Sequence, residues 1–120
     1  QGDARTYRHP CCVIGEAGWK TLEKVSTELT NNVKEINRVL YLIMPEIIES
    51  GVIKEKYLTM ERLNLLREAD NIAMNEVEER HLMDEIWQMP TVLMPLSFKG
   101  GESIVLRPVY SKEAMTARFA

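Results

Sequence analysis

This chain of 120 residues has few of the groups that carry chemistry alone: two cysteines, two histidines, six glycines, five prolines and only 7% aromatic residues. Cys11 and Cys12 are adjacent. Neighbouring side chains alternate across a strand, so a bond between them would be strained, and they read as reduced thiols of a cytoplasmic protein. A nucleophilic cysteine needs a base beside it, and the sequence pairs neither His9, in an edge context, nor His81, in a charged one, with a thiol. His9-Pro10-Cys11-Cys12 offers three soft ligands, but alternation separates the thiolates and no second cluster completes a tetrahedral zinc site. No metal and no catalytic residue is expected. The one glycine pair, Gly100-Gly101, falls between strand-like runs and not ahead of a helix, which excludes a Gly-rich phosphate loop and a nucleoside triphosphate site in this chain.

Neither sign of charge dominates. Fifteen basic against 18 acidic residues give a net charge of -3 and no basic stripe for a nucleic-acid backbone. The uncharged apolar runs are far shorter than a membrane span, which predicts a soluble chain with no membrane partner. It opens on Gln1 with no basic region, apolar stretch and cleavage site in succession, so it reads as a piece of a longer protein without a secretory signal.

What is present is ordinary globular material, 45% hydrophobic and 28% charged, in a length that allows one domain with a modest core. Thr6 to Ile14 is β-favouring, with Pro10 marking an edge or bulge. After Gly15-Glu16-Ala17-Gly18, Trp19, Leu22, Val25 and Leu29 recur at helical steps, predicting an amphipathic helix that ends near Asn31-Asn32. Arg38 to Met44 reads as a buried central strand, and Pro45 to Tyr57 as a connector with a helical turn around Glu46 to Ser50. Thr59 caps the longest helix, in which Leu63, Leu66, Asp70, Ala73 and Val77 mark one side through about Arg80. Thr91 to Phe98 and Ser103 to Tyr110 form a hairpin across Lys99-Gly100-Gly101-Glu102, whose glycines permit positive φ. The order predicts an α+β fold, a small β-sheet with helices packed on one face.

Three local features carry a functional and a structural reading each. Gly15-Glu16-Ala17-Gly18 formally matches the G-x-x-G loop with which KH domains clamp RNA, but Glu16 opposes phosphate, and a plain strand-to-helix turn explains the glycines. Met60, Met74, Met83, Met89 and Met94 suit an adaptable interaction surface or simple core filling. Trp87-Gln88 could stack on and hydrogen-bond a purine, or anchor the start of a strand.

Gly2-Asp3-Ala4-Arg5-Thr6-Tyr7, Leu63 to Asp70, Trp87-Gln88-Met89-Pro90, Ile104 to Arg107 and Ala114-Met115-Thr116-Ala117, in this order, resemble the C-terminal domain of glutamine-hydrolysing GMP synthase in its long, eukaryote-like form. Gly2 to Arg5 is similar to a G-D-x-R turn whose arginine contacts the phosphate of XMP, and a planar guanidinium suits paired hydrogen bonds to phosphate. Gln88 is similar to a Q-M-P glutamine that also faces XMP. Ile104 to Arg107 and Ala114 to Arg118 resemble the V-V-x-L-R strand and M-T-A element of the dimerisation fold. The resemblance implies strand-strand-helix-strand units incomplete at both ends, with residues 1–44 in the first, 45–85 as connector and long helix, and 86–120 in the second.

By the same resemblance, Arg5 and Gln88 bind substrate, the chain forms a homodimer, and the partners are XMP and the ATP-pyrophosphatase domain of the parent enzyme, with ATP and Mg2+ bound there. The family's K-P-P-x-T-x-E-W-E tail, its S-G-G-x-D-S loop and its amidotransferase Cys-His-Glu set have no counterpart in this sequence. The chain alone is therefore expected to lack synthetase activity and to bind XMP weakly. Two other readings stand beside this one: a stand-alone dimerisation module without nucleotide binding, and a KH-like RNA-binding domain.

Overall fold

The structure, a computed structural model, describes residues 7–46, 48–112 and 116–120. It divides into two compact units, Gln1–Ile48 and Glu49–Ala120.

In the first unit, β1 (His9–Val13) leads through α1 (Trp19–Asn32) to β2 (Ile36–Tyr41). The strands pair in parallel, with Cys11 opposite Val39 and Val13 opposite Tyr41, and the register slips between His9 and Pro10. A proline without an N–H makes that slip cheap. The connection is of the kind parallel strands require, since a two-residue turn cannot bring a strand back in the same direction. Gly15 takes a φ of 112° in the turn that leads to α1. Leu22 is the buried anchor of α1, whereas Trp19, expected on the same apolar face, is 62% exposed and meets Tyr41 edge-on at 6.0 Å between ring centroids. The strand expected at Arg38–Met44 lies earlier. Ile43 and Met44 are exposed beyond its end.

The second unit holds β3 (Val52–Ile53), α2 (Met60–Glu79), β4 (Thr91–Met94), β5 (Leu96–Ser97), β6 (Ser103–Leu106), β7 (Val109–Lys112) and β8 (Thr116–Phe119). Thr59 caps α2 as its sequence position implies, its hydroxyl accepting from the Arg62 N–H at 3.3 Å. Leu63, Leu66 and Ala73 turn inward around the buried Val77, while Asp70 stays exposed and accepts a 2.7 Å hydrogen bond from the Thr91 hydroxyl of β4. Of the helical turn expected at residues 46–50, the described residues contain none, and residue 47 lies outside them.

A hairpin forms, with φ of 95° at Gly100 and 73° at Gly101, but its ladder stops at Met94 and residues 95–102 join the strands, because Leu96 and Ser97 pair with β3 instead of continuing to Phe98 against β6. Its register runs unbroken from Met94 opposite Ser103, through Thr91 opposite Leu106, to an isolated bridge that sets Gln88 opposite Val109. Pro90 interrupts the hydrogen bonding but not the alignment, and the Arg107 N–H still donates to the Pro90 carbonyl at 3.1 Å. The run from β6 into β7 thus pairs with residues 88–94 as far as Val109, and from Val109 onward with β8. The fold is α+β, yet the expected single sheet is resolved into four two-stranded ladders, β1-β2, β3-β5, β4-β6 and β7-β8. Within the second unit the divisions fall at Pro95, between β4 and β5, and at the Arg107-Pro108 step between β6 and β7.

Candidate functional site

Of the two residues that the sequence marks for ligand binding, Arg5 lies outside the described residues. Gln88 stands at the end of the hairpin ladder in the second unit. The backbone holds it closely: the Val109 N–H donates to the Gln88 carbonyl at 2.7 Å, and the Val109 carbonyl accepts from Trp87 at 2.9 Å and from Gln88 at 3.4 Å. Both Trp87 and Gln88 are exposed.

Alternation along the ladder decides which way the carboxamide faces. Met89, Ile104 and Leu106 line an open groove with Ala69, Ile72 and Val77 of α2, so these positions point to the helix side. Gln88 is one residue out of phase with Met89 and falls on the opposite face of the ladder. There its amide, one donor group and one acceptor, is available to a polar ligand. The groove, about 430 Å³ in volume, is almost wholly apolar; Glu76 stands at its wall and receives a 3.0 Å ion pair from Arg80.

A side-chain contact fixes the segment ahead of Gln88. Residues 82–86 form a turn in which Glu85 and Ile86 both donate to the Leu82 carbonyl, at 3.1 and 3.0 Å. The hydroxyl of Tyr110, in β7, donates to Glu85 Oε2 at 3.0 Å. That hydrogen bond, and secondly the negative charge itself, hold the Tyr110 phenol above its ordinary range. Sequence reasoning singled out neither residue, because the two lie 25 positions apart and belong to no motif.

Elsewhere, Arg62 and Glu102 make a two-pronged ion pair. Arg62 Nε donates to both carboxylate oxygens at 3.0 and 3.1 Å, Nη2 adds a bond of 2.8 Å, and Nη1 reaches the Tyr57 carbonyl at 2.9 Å. Its atoms are fully engaged within the unit, which makes it a structural group. In the first unit Cys11 is half-buried and Cys12 exposed, both as free thiols; burial, then the neighbouring Cys11, pushes the Cys12 thiol up, away from the reactive thiolate. Among the described residues no helix is long and apolar enough to cross a membrane.

No protein-family model matches the chain. Curated proteins do. A probable GMP synthase [glutamine-hydrolyzing] of Leptospira interrogans is 40% identical over 124 residues, covering 99% of this chain and 20% of the relative. The GMP synthase [glutamine-hydrolyzing] of Leifsonia xyli is 37% identical across 82% of the chain and 23% of the relative. That of Bifidobacterium longum is 48% identical over 69 residues, half of this chain. The match takes in nearly the whole chain but only about a fifth of the Leptospira relative's length, and on it the chain belongs with the glutamine-hydrolysing GMP synthases, as a segment of one.

Proposed function

We propose that this segment is the C-terminal dimerisation and XMP-binding part of a cytoplasmic GMP synthase, and that it serves the ATP-dependent amination of XMP to GMP in purine biosynthesis. The observation that carries the reading is the 40% identity maintained over 99% of the chain. In the reaction, ammonia from glutamine replaces the xanthine 2-oxygen after ATP has activated it as an adenylate, and AMP and pyrophosphate leave. ATP and Mg2+ act in the pyrophosphatase domain of the parent enzyme. The present chain binds and orients.

Arg5 holds the phosphate through paired N–H donors, and Gln88 hydrogen-bonds the base or ribose from a backbone fixed on both sides by Val109. Neither moves a proton. The exposed position of Gln88, on the ladder face turned away from α2, supports this assignment. A homodimer is the second half of the reading. Exposed Ile53, Leu58, Met60 and Ile72 offer apolar surface for a second copy to cover.

An NMR titration of the labelled chain with XMP tests the binding half, with GMP and a short single-stranded RNA as controls. Saturable XMP shifts at Arg5 and Gln88 that disappear in Arg5→Ala and Gln88→Ala are the expected result. A folded chain that shows no XMP shifts, or shifts with RNA alone, overturns it.

A further inference from the structure

Gln88 is useful to a ligand only if its carboxamide is held in place, and its neighbours show how that is done. The segment 85–88 is fastened to β7 at two points. One is the backbone, where Trp87 and Gln88 exchange hydrogen bonds with Val109. The other is a side chain, where the Tyr110 hydroxyl donates to Glu85 at 3.0 Å. Between them the four-residue stretch is closed into a loop against two consecutive residues of β7.

We infer that Tyr110 and Glu85 are positioning residues for Gln88, setting the ligand-competent placement of its carboxamide; the inference rests on the proposed role of Gln88 in binding XMP. Without the second fastening, Gln88 sits at the frayed end of a ladder. Pro90 has already removed one N–H donor beside it, and its own N–H reaches the Val109 carbonyl at only 3.4 Å. Ladder ends of this kind open most readily, because few bonds must break together. The Tyr110 contact supplies a charge-assisted bond at the point where the backbone ladder gives out.

The tether also leaves the ligand side clear. Val109 pairs directly with Gln88 and shares its face, whereas Tyr110, the next residue, projects to the other. A positioning group on the far face holds the carboxamide without competing for its hydrogen bonds.

Three variants of the full 120-residue chain test this: Tyr110→Phe, which removes the hydroxyl and keeps the ring, Glu85→Ala, which removes the acceptor, and Glu85→Gln, which keeps an acceptor oxygen. XMP is titrated into each and 15N relaxation is recorded on the ligand-free chains. Tyr110→Phe and Glu85→Ala should weaken XMP binding by about three- to tenfold, the range of one net hydrogen bond. Glu85→Gln should stay within about twofold of the parent, a rescue that a mere loss of stability would not show. In the free chains the order parameters of Trp87 and Gln88 should fall in the first two variants and not in the third.

Unchanged XMP affinity in Tyr110→Phe, with parent order parameters at Trp87 and Gln88, overturns the inference. If the parent chain itself shows no XMP shift at Gln88, the proposed substrate role fails. The relaxation data then still decide whether Tyr110 and Glu85 order this segment.

Discussion

A guanidinium and a carboxylate 40 residues apart hold one corner of the second unit. The side chains of Arg62 and Glu102 are only 17% and 10% exposed, and Arg62 also ties down the Tyr57 carbonyl. Three segments therefore meet on one side chain: the connector after β3, the first turn of α2, and the turn between β5 and β6. Removing one partner strands the other charge largely out of water. Losing a fully buried partner costs about 3–5 kcal/mol, and the remaining exposure here lowers the expectation for Arg62→Ala to about 2 kcal/mol. The double variant Arg62→Met with Glu102→Leu should lie within about 1 kcal/mol of the parent, because it removes both charges together. Urea midpoints at constant m-value measure both, and a single variant as stable as the parent would refute the account. Tyr110 gives a second prediction at this scale. Its phenol is raised above the usual value of about 10 by the hydrogen bond to Glu85, so the folded state favours the protonated form. The stability this adds is complete below the unfolded pKa and is lost as pH rises through the folded one. The gap in melting temperature between parent and Tyr110→Phe should therefore be constant from pH 7 to pH 9 and close in more alkaline buffer; a gap that widens there would contradict the assignment.

Elements show where sequence logic reaches and where it stops. Thr59 could be read as a cap because the first apolar-periodic residues follow it at once, and its hydroxyl does take the Arg62 N–H. Thr59→Ala should cost about 1 kcal/mol, and a loss under about 0.3 kcal/mol in urea unfolding would mean that the cap is idle. Gly100 and Gly101 were legible for the same local reason, that only a residue without Cβ takes positive φ freely. No neighbouring atom would meet a Cβ at Gly101, so Gly101→Ala should cost only the backbone strain, about 1–2 kcal/mol. What remained illegible is non-local. β3 is two residues long and exists because Val52 and Ile53 meet Ser97 and Leu96, a pairing no periodicity announces. β8 returns along β7 across residues that carry no strand pattern of their own. The prolines were visible, but their effect depended on register: Pro90, which has no N–H to give to the facing strand, separates the β4-β6 ladder from the isolated bridge at Gln88 and Val109 within one continuous alignment. Of the candidate site, Gln88 was ambiguous from its residue type and was singled out through its likeness to a known segment, and Glu85 and Tyr110 not at all, since a tyrosine and a glutamate 25 residues apart signal nothing until the chain brings them together.

At the scale of the whole chain, burial is sparse. Leu22 and Val77 are the only apolar side chains among the described residues that count as buried, while Ile53, Leu58, Met60 and Ile72 each expose more than half their surface. A chain that spans about a fifth of the Leptospira relative's length has apolar surface to share, either with the rest of a longer protein or with a second copy. The proposed homodimer makes a choice between these that can be measured on the chain by itself. The groove walled by Ile72, Ile104 and Leu106 is the apolar surface in which three partly exposed side chains adjoin one another, on α2 and β6. In a two-fold dimer each copy contributes the same patch, so one substitution acts twice. Full burial of an isoleucine is worth about 1.5–3 kcal/mol relative to exposure, and Ile72 starts 59% exposed, so roughly half of that is at stake per copy. Ile72→Glu also places a carboxylate within that apolar patch and beside Glu76. Sedimentation equilibrium should then give a dimer for the parent chain and at least about a tenfold weaker association for the variant. Because Ile72 lies on the open side of α2, its circular dichroism and urea midpoint should hardly change. A parent chain that sediments as a monomer throughout the micromolar range would remove the homodimer from the proposed function. A variant that dimerises as well as the parent would leave the dimer standing and acquit this groove.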